Sequence, residues 1–227
     1  MHLGLLQCGP TAPALDERHG GYPELYAALI GPGFDWTTWR VFDGDFPDGP
    51  DAAEGWLVSG SKFGAYEDHD WIAPLERLIR GIHDSGRPLV GICFGHQVVA
   101  QALGGRVEKF AGGWAVGRQT YTLEGDTVHL NAWHQDQVTQ LPPGAEVIAT
   151  NDFARTAGLR IGPATLTLQP HPEFGRDYVA DLIDARGRGV VPEPLLDGAR
   201  DGLGQPVDNA RIGAWLADFY RAHKEAR

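Results

Sequence analysis

The chain has 227 residues, 42% of them hydrophobic and 22% charged, a globular composition that excludes a largely disordered protein. Thirty acidic against nineteen basic residues leave a formal net charge of -11, which repels phosphate backbones and anionic lipid surfaces. Neither a nucleic acid nor a membrane is therefore expected as a partner.

Residues 2–6 are a short apolar run stopped by Cys8-Gly9-Pro10, a buried strand followed by a loop. Residues 22–30 read as a helix closed by Gly31-Pro32-Gly33. Residues 34–42, rich in aromatic and β-branched side chains, and residues 55–58, stopped by Ser59-Gly60-Ser61, read as the second and third strands. From Asp70 onward Trp71, Ile72, Leu75, Leu78, Ile79 and Ile82 recur at three- and four-residue intervals. That spacing predicts a helix with one apolar face, Asp70 as its cap and Pro74 tolerated in its first turn. Residues 88–93 form another buried strand, which runs without a loop into a helix over 94–103 ended by Gly104-Gly105.

Strands alternating with helices predict a parallel sheet covered on both faces. Beyond Gly105, residues 106–110, 117–123, 127–131, 146–150 and 164–168 read as strands joined by short turns. Residues 176–186 and 212–223 read as covering helices, and 190–204, studded with Gly, Pro and charges, as a surface loop. The predicted class is α/β: a three-layer sandwich around a mostly parallel, flavodoxin-like sheet with a small antiparallel extension, in one domain over residues 1–227. Most of the tryptophans read as core, with an exposed partner face around Trp36, Trp39 and Trp56 as the alternative.

Two cysteines, Cys8 and Cys93, are too few for a disulfide framework or a cysteine-rich zinc site. The amino terminus lacks the basic region and apolar core of a secretion signal, and no apolar run approaches the roughly 20 residues of a membrane-crossing helix. A reduced, cytoplasmic protein is expected. Cys8 reads as a small buried residue, with a redox partnership to Cys93 as the alternative.

Cys93 is different in kind. Gly91-Ile92-Cys93-Phe94-Gly95-His96-Gln97 sets a nucleophile on a strand-to-helix corner with a glycine two residues away on each side. Such an elbow forces its central residue into a strained conformation and lifts the side chain clear, and the glycines remove Cβ atoms that would collide. At a helix amino terminus, free N–H groups and the dipole favour an anionic sulfur, and the Phe94 N–H points at a forming oxyanion. A structural cysteine between two packing glycines is the plainer alternative.

Gln169-Pro170-His171-Pro172-Glu173-Phe174 supplies the base that a thiolate nucleophile needs. In extended chain, side chains two apart share a side and Pro172 stiffens that extension. Glu173 then accepts a hydrogen bond from His171 Nδ1 while Nε2 faces the sulfur. Taken alone, this segment also fits a solvated turn at a strand end.

Together these motifs resemble the class I, or triad, glutamine amidotransferase domain, whose Cys-His-Glu triad hydrolyses glutamine to glutamate and ammonia. The likeness runs over nearly the whole chain. The elbow followed by Leu103-Gly104-Gly105 matches the family's elbow and helix, and Val58-Ser59-Gly60-Ser61 is similar to its glycine loop after the third strand. Residues 131–138 resemble the histidine-containing stretch that contacts the α-amino and carboxylate ends of glutamine. The resemblance implies Cys93 as nucleophile, His171 as general base and then acid, and Glu173 as its orienting partner. It also implies Gly60 and Phe94 as oxyanion donors and Gln97, Trp133 and His134 as substrate contacts. These steps need no metal or organic cofactor.

Synthase members of the family carry Gly-Gly-Pro where this chain has Gly60-Ser61-Lys62-Phe63, a departure at the second oxyanion donor and the outer pocket wall. Lys62 there reads either as a partner for a substrate carboxylate or as a solvated loop residue. Gly112-Gly113-Trp114-Ala115-Val116-Gly117 resembles the stand-alone branch similar to the amidotransferase part of GMP synthase, in which no synthase domain is fused.

Three functions fit. One is a glutaminase that passes ammonia to a separate synthase subunit, with glutamine as the first expected substrate. Another is a free-standing γ-glutamyl peptidase or hydrolase acting on γ-glutamyl peptides, amines or conjugates. The last is a non-catalytic regulatory protein, against which intact Cys93, His171 and Glu173 argue. His129, His134 and Asp136, the nearest cluster of metal-ligand types, match no zinc template, and no metal is expected.

Overall fold

The computed structural model describes residues 1–225. The first half of the chain alternates strand and helix: β1 (His2–Gln7), α1 (Pro13–His19), α2 (Tyr22–Ile30), β2 (Asp35–Arg40), β3 (Gly55–Val58), α3 (Ile72–Asp84), β4 (Leu89–Ile92) and α4 (Phe94–Ala102). Strands then follow one another as β5 (Arg106–Lys109), β6 (Ala115–Leu123), β7 (Asp126–His134), β8 (Asp136–Gln140), β9 (Ala145–Thr150), β10 (Gly158–Ile161) and β11 (Thr165–Leu168). Three helices close the chain: α5 (Arg176–Leu182), α6 (Glu193–Gly202) and α7 (Asn209–Glu225).

The nine-stranded main sheet has the order β2-β1-β3-β4-β11-β10-β9-β6-β7, and β5 pairs with β8 in a separate two-stranded sheet. Strands β2, β1, β3, β4 and β11 are joined by parallel pairings. The strands from β10 to β7 continue the sheet through antiparallel ones. The α/β class, the mostly parallel flavodoxin-like sheet and the antiparallel extension agree with the sequence reading.

Alternation along the strands sends side chains to two apolar layers. Leu3, Leu5, Leu57 and Ile92 pack on one face with Tyr26 of α2, Leu182 of α5 and Leu216 of α7. Leu6, Val58 and Leu89 pack on the other with Leu75, Ile79 and Ile82 of α3 and Val98 and Val99 of α4. Helix α3 has the predicted apolar face but not the predicted cap. It begins at Ile72 with Trp71 in the cap position and no side-chain cap bond, one residue too late for the Asp70 carboxylate to serve its first amides.

Residues 190–204, loop-like by composition, instead contain α6. Its Leu196 and Ala199 are buried, and α6 lies so close to β6 that a Cβ on Gly117 would meet the Ala199 Cβ at 2.6 Å. One buried pair three residues apart is too little periodicity to stand out among the glycines and charges around it. The same brevity hid α1, whose one buried residue is Leu15, and the short strands β8 and β10. Trp56 is fully buried and so is core, the Trp39 ring packs 5.3 Å from it, and Trp39 and Trp36 are half-buried against the two apolar layers. Among the described residues no helix is long and apolar enough to cross a membrane.

The loops that follow β1, β3, β4 and β11 all leave the carboxyl ends of neighbouring parallel strands. Open α/β sheets hold their ligands at that edge.

Candidate active site

Strand β4 turns into α4 at Cys93, whose φ of 53° and ψ of −104° put a residue with a Cβ in the left-handed half of the map. A conformation of this kind costs about 1–3 kcal/mol and persists only where its surroundings enforce it. The glycines on either side are that enforcement. A Cβ on Gly95 would lie 2.1 Å from the Val58 carbonyl oxygen, and one on Gly91 would lie 2.6 Å from the Gly95 carbonyl oxygen. Only glycine lets the first turn of α4 press this closely on β3 and β4. Cys93 is buried, with Sγ 4.0 Å from the Trp133 carbonyl oxygen. Phe94 opens α4, where backbone N–H groups have no acceptor within the helix.

The segment after β11 is pinned from two sides. His171 N–H donates to Asn131 O at 2.8 Å, and Phe174 O accepts from Asn131 Nδ2 at 2.8 Å and from Asn209 Nδ2 at 2.9 Å. The His171 ring stacks on Phe174 with centroids 4.0 Å apart. So held, His171 Nδ1 lies 2.7 Å from Glu173 Oε1, with both residues buried. Tyr26 Oη donates to the same carboxylate oxygen at 3.1 Å and accepts from Gly60 N–H at 3.2 Å. Burial by itself would lower the pKa of His171. The charges of Cys93 and Glu173, with hydrogen bonds to both, outweigh it and raise the value to about 10. The imidazole is therefore held as a cation between two acidic partners.

Cys93 and His171 open onto a cavity of about 620 Å³, which Gln97, Trp133 and His134 also line. Gln97 Nε2 donates to Asp136 O at 2.9 Å and to Gln169 Oε1 at 3.1 Å, which fixes that amide. His134 Nδ1 lies 3.2 Å from Asp136 O, and burial pushes its pKa down to about 4, so this ring is neutral near pH 7. Lys62 reaches the cavity with its Nζ 5.1 Å from the Phe63 ring centroid.

Gly60 gives its N–H to Tyr26, and Ser61, one residue on, lines the cavity. His129 faces Asp208 at 3.4 Å and Asp136 accepts from Tyr66 at 3.2 Å, so they do not converge with His134. Among the described residues no group of three or more such side chains is placed to hold a metal ion. Cys8 is buried and free, its Sγ donating to Leu6 O at 3.4 Å, and burial raises its pKa.

Tyr26, Ser61 and Arg186 belong to this site or its cavity without having been given a role from sequence, and Asp136 was weighed there only as a metal-ligand type. Tyr26 is indistinguishable there from the core aromatics of an apolar helix face, and Arg186 from any helix-end cation.

A cysteine on a strained strand-to-helix corner, beside a buried histidine–carboxylate pair at the carboxyl edge of a parallel sheet, is an arrangement suited to nucleophilic cleavage of an amide. The family model for class I glutamine amidotransferase matches residues 51–177, and the chain belongs to that family. Gamma-glutamyl peptidase 4 of Arabidopsis thaliana is 34% identical over 192 residues, covering 77% of this chain and 76% of its own length. The glutamine-hydrolysing GMP synthase of Aromatoleum aromaticum is 34% identical over 154 residues, covering 58% of this chain and 29% of that protein. The crystal structure of a glutamine amidotransferase from Methylobacillus flagellatus has the same fold, with a TM-score of 0.73 at 18% identity, covering 99% of this chain and 94% of that one.

Proposed function

We propose that the protein is a γ-glutamyl amide hydrolase in which Cys93, His171 and Glu173 act as a triad within one domain spanning residues 1–227. The observation that carries this reading is the buried His171–Glu173 contact of 2.7 Å on the same cavity as Cys93 at its strained corner. Its substrates are γ-glutamyl conjugates larger than glutamine. A cavity of about 620 Å³ falls in the range that encloses ligands of drug size, and several relatives bear the name gamma-glutamyl peptidase.

In the first half-reaction the Cys93 sulfur attacks the γ-carbonyl carbon, forming a C–S bond and placing negative charge on the carbonyl oxygen. Phe94 N–H and the loop after β3 receive that charge, with Ser61 in the place the family resemblance gives to Gly60. His171 gives its proton to the departing nitrogen, the C–N bond breaks and a γ-glutamyl thioester remains. In the second half-reaction His171 takes a proton from water, the hydroxide adds to the thioester, and glutamate leaves as the sulfur is restored. Glu173 keeps the His171 ring oriented through both halves, while Gln97, Trp133 and His134 line the substrate.

The match to a glutamine-hydrolysing synthase favours a second reading, a glutaminase that hands ammonia to a separate synthase subunit. Steady-state assays of amine or ammonia release from glutamine and from γ-glutamyl peptides and amines separate the two. Efficient turnover of a conjugate with glutamine poor supports the proposed hydrolase, whereas slow glutamine turnover with nothing better supports the synthase-linked one. Activity unchanged in Cys93→Ala or His171→Ala would overturn both.

A further inference from the structure

The cavity walls carry charge in two different ways. Around Asp136 both signs meet, since Glu67 and Lys109 stand near its carboxylate, and Lys62 lines the same cavity. Paired charges of this kind suit the α-ammonium and α-carboxylate of a glutamyl group. Around Arg186 no ion pair forms: it is set among Leu15, Tyr22 and Tyr178, and the carboxylates nearest that group, Asp16 and Glu173, are engaged by Thr11 and by Tyr26 and His171.

Arg186 is unusual in this acidic chain. It is half-buried, its Nη2 donates to Pro10 O at 3.2 Å, and among the described residues no carboxylate pairs with it. Arg188 and Arg200, by contrast, both pair with Asp184. A guanidinium presents five donors in a planar fork, and one contact to a carbonyl leaves most of that fork free. The backbone reinforces the point: residues 183–187 extend α5 as a π-helical turn, a local widening that occurs preferentially at functional sites. Gly187 of that turn lies against Trp133, where a Cβ would come within 3.3 Å of the indole.

We propose that Arg186 binds a carboxylate on the amine portion of the substrate, making γ-glutamyl amino acids and peptides preferred over glutamine and neutral γ-glutamyl amines. This rests on the γ-glutamyl hydrolase reading and adds a leaving-group subsite to it. The released amine product is then itself an α-amino acid or a peptide.

The test compares γ-glutamyl-alanine with γ-glutamyl-alaninamide, which share the glutamyl end and differ only in the distal charge. The intact protein is expected to show kcat/KM at least about tenfold higher for the acid, from a charge-assisted contact, carried mainly by KM. Arg186→Gln closes that gap and Arg186→Lys retains part of it. Equal kcat/KM for acid and amide in the unmodified protein overturns the proposal. So does a loss in Arg186→Gln that is the same for both, which would assign Arg186 to the glutamyl end. Binding of the two ligands to Cys93→Ala, read by calorimetry, separates subsite from chemistry. Selective binding without turnover in the unmodified protein keeps the subsite and sinks the hydrolase, and turnover without selectivity does the reverse.

Discussion

Tyr26 and Glu173 stand 147 residues apart in the chain and are joined by a hydrogen bond of 3.1 Å from the Tyr26 hydroxyl to Glu173 Oε1, the oxygen that also receives His171 Nδ1. Helix α2 thus buttresses the carboxylate that orients the imidazole, and through Gly60 the same hydroxyl ties down the loop after β3. Tyr26→Phe removes both bonds while keeping the ring in the core. Leaving a buried N–H and carboxylate without that partner costs about 1–3 kcal/mol. Chemical denaturation should show a loss of that size, and kcat should fall more than KM changes. Unaltered kcat would deny Tyr26 any part in positioning the triad.

The elbow glycines should be intolerant. Gly95→Ala places a methyl group 2.1 Å from the Val58 carbonyl oxygen, a backbone atom that cannot rotate away. Overpacking against backbone is expected to cost about 3 kcal/mol or more and to lower the melting temperature by roughly 6–12 °C. A variant that melts with the parent and keeps its activity would contradict the close approach of α4 to β3.

His171 should remain an imidazolium well past neutrality. Its value near 10 lies above the ordinary histidine value of about 6.5. Its charge therefore contributes stability in full below about pH 6.5 and loses it as pH rises through about 10. Nuclear magnetic resonance of labelled histidine should show the imidazolium signature at pH 8, and Cys93→Ala should bring the midpoint down. Titration of His171 near 6.5 in the intact protein would contradict the charged triad.

Two other histidines act in the opposite direction. Burial pushes His96 down to about 3 and His134 to about 4, so both are neutral when folded at pH 7 and gain protons sooner when unfolded. The stability present above about pH 6.5 is then lost as pH falls toward 4 and 3. Thermal melts should drop across that window, and the slope should flatten in His96→Gln. A melting temperature constant from pH 6.5 to 4 would run against this account.

The reach of sequence reasoning followed the range of the constraint. The Gly91-Ile92-Cys93-Phe94-Gly95 corner was legible because strand, strain relief and helix start all lie within seven residues, and His171 and Glu173 because two-residue spacing in extended chain puts both on one side. Tyr26 and Arg186 were not, since one reaches the site from α2 and the other from a π-helical turn that no periodicity announces. At the loop after β3 a single position matters. Whether Gly60 or Ser61 presents its N–H to the cavity depends on the Tyr26 hydroxyl that claims Gly60, which is a tertiary contact. Helix α6 was hidden for a related reason, because its buried Leu196 and Ala199 find their partner in β6 and not in local pattern.

The most direct measurement is mass spectrometry of the protein quenched during turnover of γ-glutamyl-alanine. The account predicts a γ-glutamyl adduct on the peptide containing Cys93 that decays as glutamate is released, with amine release reduced about 10⁴-fold or more in Cys93→Ala. Hydrolysis that continues at the parental rate in Cys93→Ala, or a protein that neither forms the adduct nor cleaves any γ-glutamyl substrate, would contradict it.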